Sequence, residues 1–292
     1  MVSLKTLRSR IRTVQETEKI TTAMMLVSGS KLRKAEANHK EAEPFVKGFI
    51  DLLETVSRLD EVDIFGIKLL ASPKEKAHHL IVVMTSDRGL CGAFNAVIVR
   101  EVKNHLRRLE EDGTTFSILP WGRKGSDLLR GSWGGYFLKE EIILKEDLDP
   151  YKKACFLKDV LMDLYHRNVF DICTLFYSQS YSIMSQVPQK EQLVPISLMP
   201  RQEMSSLQSI CEFEPEPSLF LESFLEMYLS SRVMHGMLQT QLSEQGARMM
   251  AMDGATRNAK EMTQSLQLLY NRSRQATITK ELIEIISGSE AL

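Results

Sequence analysis

The string TSDRGLCGAFN at residues 85–95 is the most enzyme-like part of the sequence. It follows a β-branched apolar run and precedes an amphipathic stretch, where a dinucleotide fold keeps its phosphate loop. The string has neither the GxGxxG spacing nor the Gly-Lys-Ser/Thr ending of a P-loop. The alternative is a tight structural turn, in which Gly89 and Gly92 take positive φ and Asp87 caps the backbone.

Nucleophilic and metal chemistry have little support elsewhere. Cys91 has no nearby histidine to activate it, so the pattern favours a buried structural thiol over a nucleophile. His78 and His79 precede a strand without HExxH spacing, and we interpret them as solvated or packed side chains. The four cysteines form no CxxC pair and have no zinc-type spacing. The sequence therefore predicts no catalytic residue, no cofactor and no metal site, and it favours a reducing compartment.

A second candidate site lies near the end of the chain, in the string YNRSRQ at residues 270–275. It is either a solvated helix face or a partner-binding face whose arginines hold carboxylates in bidentate contacts. The tail that follows, residues 278–286, is apolar on more than one side. An exposed helix tip is not expected to have this pattern unless another surface surrounds it.

Proline placement predicts two long helices that hold these segments. None of the nine prolines lies in the first 43 or the last 75 residues, and proline inside a helix removes a hydrogen bond and clashes with the preceding turn. We expect one helix from the N-terminus to about Arg58 and another from Pro217 to near Ser287. At about 1.5 Å per residue they would be roughly 85 and 100 Å long, so they must protrude or be sheathed.

Both stretches carry apolar residues in steps of three and four, the pattern of a coiled-coil seam. The N-terminal seam slips around Thr17, and its positions are Leu4, Leu7, Ile11, Val14, Ile20, Met24 and Val27. The C-terminal seam, from Leu238 to Leu269, uses Met, Ala and Thr where a stable zipper would use Leu and Ile. We expect antiparallel pairing, because a globular insert with neighbouring ends returns the chain to its starting point.

The sequence in the middle of the chain predicts a small α/β domain. A strand at 79–85, a helix at 94–111 and a strand at 115–120 form a βαβ unit. A helix from Pro150 to about Arg167 and a strand at 169–177 continue the alternation, which predicts a largely parallel sheet.

The predicted fold class is therefore α/β plus a long antiparallel coiled coil. The N- and C-terminal helices are paired, and a small Rossmann-like α/β domain is inserted between them. The predicted parts are an N-terminal helix at 1–60, the α/β domain at 75–200 and a C-terminal helix at 210–287.

Charge and hydropathy argue against three broad classes of protein: dedicated nucleic-acid binders, membrane-spanning proteins and secreted proteins. The chain has 37 Lys plus Arg against 38 Asp plus Glu, which argues against a dedicated nucleic-acid binder. No run approaches the ~20 apolar residues of a membrane span, and the N-terminus lacks the apolar core of a secretory signal. We therefore expect a soluble, intracellular protein whose membrane association is made through partners. The charge is segregated, since residues 1–40 have a positive excess and residues 201–226 a negative one.

Three groups of residues stand in order along the chain. They are RIRTVQETEKIT at 10–21 with Ala23 and Met24, SDRGLCG at 86–92 with Phe94 and Asn95, and the strings ARMMAMD, ATRNA, YNR, RQA and ITKELIEI within 247–285. Together they resemble the gamma subunits of the rotary F-type ATP synthase. The resemblance spans essentially the whole length, and three ordered motifs are far more specific than one.

The resemblance implies a central stalk. The paired helices would stand inside a ring of alpha and beta subunits, and the α/β domain would lie near the epsilon subunit and the c ring. The chain would do no bond chemistry, because ATP is made at the alpha/beta interfaces that its rotation drives through their open and closed states. Two alternatives stay open from the residues alone: a static coiled-coil scaffold and a small-molecule α/β enzyme with helical arms.

The resemblance also implies which residues meet partners. Arg274 and Gln275 match positions that grip an acidic loop of a beta subunit, and the apolar tip would turn in a bearing formed by the surrounding subunits. The basic N-terminal helix would face acidic beta-subunit helices, and the acidic stretch near Cys211 would lie near epsilon and the c ring. The predicted partner-binding residues are Arg274, Gln275, Arg272, Lys19, Met24, Arg33, Lys34, Arg88, Glu212, Glu214, Ile283 and Ile286.

The sequence departs from the family pattern at Thr22 and Met25, where charged or polar residues are frequent, and at residues 28–30. Gly29 is expected to soften the helix by about 1 kcal/mol. The chain has no regulatory cysteine insertion of the chloroplast kind, and the first motif begins at Arg10. The resemblance therefore favours a bacterial protein at the cytoplasmic face of the inner membrane.

Overall fold

The computed structural model describes residues 3–57, 68–70, 77–138, 149–197 and 217–290. Within these ranges the chain forms five α-helices and four strands, with single 3₁₀ turns at Lys68–Leu70 and Gly134–Tyr136. In chain order they are α1 (Leu4–Ser57), β1 (His79–Met84), α2 (Phe94–Glu111), β2 (Phe116–Trp121), α3 (Arg123–Trp133), α4 (Pro150–His166), β3 (Ile172–Ser182), β4 (Ser185–Val194) and α5 (Pro217–Glu290).

The two terminal helices have the positions that the proline pattern predicts. α1 has 54 residues and continues through Pro44, whose missing N–H removes one intrahelical hydrogen bond. α5 has 74 residues and begins at Pro217. Proline suits a first helical position, because its φ is preset and an N–H there has no intrahelical partner.

The chain divides into two compact units. Residues 1–30 and 248–292 form one, called here the terminal unit, and residues 31–247 form the other, called here the central unit. α1 and α5 contribute residues to both units, whereas the sheet and helices α2 to α4 belong to the central unit.

The central unit contains one sheet of four strands in the order β2-β1-β3-β4. β1 is parallel to both β2 and β3, with His79 opposite Phe116 on one side and opposite Ile172 on the other. β3 and β4 form an antiparallel hairpin with irregular pairing near Cys173 and Ser180. The predicted βαβ unit is confirmed, and the sheet is parallel except for the hairpin strand β4, which the sequence reading missed.

Both faces of the sheet are covered, as the alternating side chains of β1 show. Leu80, Val82 and Met84 join a core with α4 and parts of α1 and α5, while Ile81 and Val83 join a second core with α2 and α3. A strand that is buried on both sides is expected to be a continuous apolar run. After His79, β1 is such a run. The central unit is therefore a sheet between two helical layers.

The third predicted strand begins later than expected. Asn168 takes a positive φ of 53°, and the N–H of Val169 bonds the carbonyl of Leu164 at 3.0 Å, so these residues close the C-terminus of α4. β3 therefore starts at Ile172 and extends to Ser182. Helix α3, which the sequence analysis did not predict, contains two glycines, and glycine is a poor helix former. Among the described helices, none is both long and apolar enough to cross a bilayer.

Candidate partner-binding surfaces

The loop between β1 and α2 uses its polar groups to hold itself together. The Ser86 N–H donates to Oδ1 of Asn95 at 3.0 Å, and the Ser86 hydroxyl donates to the carbonyl of Arg88 at 2.7 Å. The Asn95 amide donates to Sγ of Cys91 at 3.2 Å, and Cys91 is 2% exposed. The predicted structural role of the thiol is confirmed.

Details of this loop differ from the predicted turn. Gly92 has a positive φ of 59°, but the second left-handed residue is Leu90 at 64°, not Gly89. Oδ1 of Asp87 accepts the N–H of Arg123 at the start of α3, 3.1 Å away, so Asp87 ties the loop to another helix. The geometry is that of a structural junction.

The same junction explains two glycines near α3. The N–H of Gly125 donates to Oγ1 of Thr85 at 2.9 Å. A Cβ at Gly122 would overlap the carbonyl oxygen of Thr85, and Gly122 has a φ of 121° that side-chain-bearing residues rarely adopt. These glycines let α3 approach the end of β1.

In the terminal unit, hydrogen bonds at Thr21 and at Arg8 join α1 to α5. The hydroxyl of Thr256 lies 2.8 Å from Oγ1 of Thr21, and both residues are buried. Arg8 donates to the hydroxyl of Tyr270 at 2.9 Å and lies over its ring at 5.8 Å. A Cβ on Gly29 would be 3.4 Å from Sδ of Met249, so the helices also approach closely there.

The N-terminal seam differs from the prediction after Val14. Ile20 and Val27 are 60% and 56% exposed, whereas Thr21 and Ser28 are 8% and 2% exposed. The predicted slip is therefore wrong, because the steps of four and three continue unbroken through polar residues. Helix geometry sets which positions face the neighbour, and the exposed isoleucine and valine misled a reading based on hydrophobicity.

The predicted C-terminal seam contains both buried and exposed positions. Gln245, Met252, Thr256 and Ala259 are buried. Beyond them Met262 and Leu269 are 55% and 48% exposed, so the buried seam ends before its predicted end.

The predicted partner residues near the end of α5 are exposed to solvent. At about 100° per residue, Arg272, Gln275, Ile283 and Ile286 share one stripe of the helix. Arg274 lies about 160° from Arg272 around the axis, so the two arginines project from different sides. Ile283 and Ile286 are 58% and 57% exposed.

The remaining predicted residues are dispersed along the chain. In the terminal unit Lys19 is exposed and Met24 is half-buried, and in the central unit Arg33, Lys34 and Arg88 are exposed. Glu212 and Glu214 lie outside the described residues. These positions do not form one site, and each is a separate candidate surface.

His78, which precedes β1, is held by side-chain hydrogen bonds. Both ring nitrogens of His78 are within 2.9 Å of hydroxyls, those of Thr115 and Ser117.

Burial, followed by the charge of nearby Lys190, lowers the pKa of His105 to about 4. In the described ranges no group of three or more His, Cys, Asp or Glu could hold a metal ion.

Sequence reasoning missed a polar network under α5. Arg232 on α5 forms an ion pair with Glu191 of β4, and Gln239 contacts Nε2 of His39 at 2.7 Å. Burial lowers the pKa of His235 beside them to about 4. The available signal was the run of polar residues within an otherwise apolar part of α5.

Comparisons with known proteins agree over the whole chain. A family model described as ATP synthase matches residues 3–292. The chain is 40% identical to the ATP synthase gamma chain of Methylobacterium nodulans and 37% identical to that of Pelagibacter ubique, with 100% of both chains covered in each case.

Solved structures give the same result for the fold. A chain in the central stalk and c-ring structure of Tetrahymena thermophila mitochondrial ATP synthase has 27% identity and a TM-score of 0.58, covering 81% of this chain and 99% of that one. A chain of the Euglena gracilis mitochondrial ATP synthase has a TM-score of 0.64 at 16% identity, covering 99% and 94%. The second likeness concerns the fold alone.

Proposed function

Because this chain belongs to the ATP synthase gamma chains, we propose that it works as the central rotary shaft of a proton-translocating F-type ATP synthase. In this role the c ring turns the chain inside a hexamer of alpha and beta subunits. The asymmetric shaft then drives each catalytic interface through its conformations, for ATP synthesis or hydrolysis. A partner can shift such an equilibrium only by the difference in its contact free energy with the two states, so the chain needs no active site.

The observation that carries the proposal is the apolar end of α5. Leu282, Ile283, Ile285 and Ile286 are between 54% and 68% exposed, and steps of about 100° place them on several sides of the helix. Large exposed apolar surfaces mark contact with partners. Apolar contact is non-directional, so it sets no preferred angle and suits a surface that turns in a bearing.

We further propose that α1 and α5 pair as an antiparallel coiled coil. In support, Arg8 contacts Tyr270, Thr21 contacts Thr256, and position 29 lies against Met249. The number on one helix rises as the number on the other falls, which is the signature of antiparallel neighbours. The division into a helix at 1–60, a Rossmann-like domain at 75–200 and a helix at 210–287 stays a prediction.

The proposed partners are alpha and beta subunits around the paired helices, and the epsilon subunit and c ring near the α/β domain. Lys19, Arg272 and Arg274 present cations to solvent, which suits acidic loops on the beta subunits. The proposed location is peripheral, at the cytoplasmic face of a bacterial inner membrane. Contact with the membrane would be made through the complex.

The test is the double variant Arg274→Ala with Gln275→Ala in the assembled complex. We expect lower ATP synthesis and torque while alpha and beta subunits still co-purify with the tagged chain. The matched control is Arg107→Ala with Glu111→Ala, two exposed residues of α2, which should retain synthesis. Unchanged proton-coupled synthesis in the first variant would remove these residues from the mechanism.

Rotation itself needs a separate test. An engineered disulfide between α5 and a beta subunit should stop ATP turnover, and reduction should restore it. Turnover that continues with the disulfide closed would favour a static scaffold.

A further inference from the structure

A cavity of about 460 Å³ opens between α1, α4 and α5 of the central unit. Its volume is within the range of sites that hold small organic groups, roughly 300 to 1,000 Å³. Three large apolar side chains line it, Phe45 from α1, Tyr151 from α4 and Met227 from α5. They are 46%, 53% and 54% exposed, so apolar surface from three helices is gathered in one place and left partly open to water.

The charged residues that line the cavity carry an excess of negative charge. Among the described residues that line it, Glu222 and Glu226 are acidic and Lys158 is basic. Nζ of Lys158 lies 3.6 Å from Glu226, but it is closer to Asp159, at 2.6 Å. The hydrogen bond to Asp159 raises the pKa of Lys158, so Lys158 keeps its positive charge. This charge is shared between the carboxylates of Asp159 and Glu226. Glu222 stands one turn before Glu226, and two carboxylates at this spacing repel each other.

We propose that this cavity binds an ammonium or guanidinium group carried on an apolar stem. The stem would lie against Phe45, Met227 and the ring of Tyr151, and the cation would lie between the carboxylates of Glu222 and Glu226. An added cation relieves the repulsion between these carboxylates, and aromatic rings at the mouth attract cations through their faces. The same chemistry is carried by a small arylalkyl amine and by an arginine side chain of a partner.

The first test measures binding of phenylbutylamine and phenylbutyrate to the full-length chain labelled with ¹³C at its methionine methyl groups. The two probes share a stem and differ in the sign of the charge. We expect the amine to shift the methyl resonance of Met227 and the carboxylate to leave it in place. Met262, 55% exposed in the terminal unit, is the control methyl. Variants Met227→Leu and Met262→Leu assign the two signals.

Two charge variants should move the affinity for the amine in opposite directions. Glu222→Gln should weaken binding about two- to fivefold, as expected for a solvent-exposed ion pair. Lys158→Gln should strengthen binding, because it removes the cation that competes for Glu226. Glu281→Gln, an exposed position on α5 in the terminal unit, should leave the affinity unchanged. Circular dichroism checks that each variant is folded.

A tripeptide with arginine between two leucines, blocked at both ends, distinguishes the sources of the cation. Tighter binding of the peptide points to a partner's arginine, and tighter binding of the amine points to a free small molecule. The proposal is overturned if neither cation shifts Met227, if phenylbutyrate shifts it equally, or if Glu222→Gln leaves the affinity unchanged. None of these outcomes depends on the rotary role, because binding is measured on the chain by itself.

Discussion

Gly236 determines how closely α5 lies to the sheet, and replacing it with alanine measures that contact. A Cβ at this position would be 2.8 Å from Cδ2 of Leu175 and 3.4 Å from Sδ of Met84. Carbon atoms in favourable contact are about 3.5 to 4.0 Å apart. Leu175 is fully buried, so the new methyl group forces a rearrangement of the core.

The expected change in unfolding free energy combines two terms. Overpacking a close-packed core costs about 1 to 3 kcal/mol, while alanine gains about 1 kcal/mol over glycine inside a helix. Gly236→Ala should therefore lower the unfolding free energy by about 0 to 2 kcal/mol. The control is Gly48→Ala in α1 of the same unit, where a Cβ would meet nothing within 4 Å. This variant should be more stable than the parent by up to about 1 kcal/mol.

Urea unfolding followed by tryptophan fluorescence is the assay. The chain has two tryptophans, Trp121 and Trp133, and both belong to the central unit, so the signal reports on the unit that contains both glycines. The unfolding free energies of Gly236→Ala and Gly48→Ala should therefore differ by about 1 to 3 kcal/mol. Equal stabilisation by both would refute the conclusion that Gly236 is needed for close approach.

Three further predictions follow from buried polar groups. Thr256→Val should lower the unfolding free energy by about 1 kcal/mol, because it removes the hydroxyl beside Thr21, and circular dichroism in urea measures this. Burial lowers the pKa values of His105 and His235 to about 4, so the folded chain binds fewer protons than the unfolded chain between about pH 4 and 6.5. Stability should be highest above that window and fall as the pH decreases through it, as urea titrations at several pH values would show. Cys91 should resist alkylation in the folded chain and react on unfolding, as mass spectrometry would show, because it is 2% exposed.

Each of these three predictions has a control within the same chain. Thr279→Val, at an exposed threonine bonded to its own helix, should change stability little, and an equal effect at both threonines would contradict the seam contact. His105→Gln should reduce the dependence of the unfolding free energy on pH. A parent chain whose stability does not change with pH would contradict the predicted loss of stability at low pH. Cys155 is half-buried and should react before Cys91; labelling of Cys91 at the same rate would show that its loop opens.

Local signals predicted most of the elements. The absence of proline predicted α5 and the part of α1 before Pro44, through which α1 continues. The helix at 94–111 was predicted with its observed bounds, because its apolar residues have a clear helical period. The hairpin strand β4 was missed, because Pro188 and alternating polar residues make an edge strand resemble a loop. α3 was missed because Gly125 and Gly131 are poor helix formers, although one of these glycines is needed for contact with Thr85.

The candidate surfaces were harder to predict than the elements. Exposure of Arg272, Arg274 and Gln275 agrees with a binding face, but their roles rest on the family and stay predictions. The seam was predicted at Ile20 and Val27 and is formed by Thr21 and Ser28. Hydrophobicity alone cannot find a seam made of small polar residues, because their burial depends on what the other helix presents.

By itself the sequence determined the two long helices, the βαβ unit and the family, since these depend on residues that are neighbours along the chain or on motifs in a fixed order. Only the tertiary structure decided the polar seam, the approach of Gly236 to Leu175 and the cavity between Phe45, Tyr151 and Glu222. The physical reason is that each of these contacts joins residues far apart in sequence. Whether they meet is decided by the packing of whole helices and sheet faces, which no local pattern records.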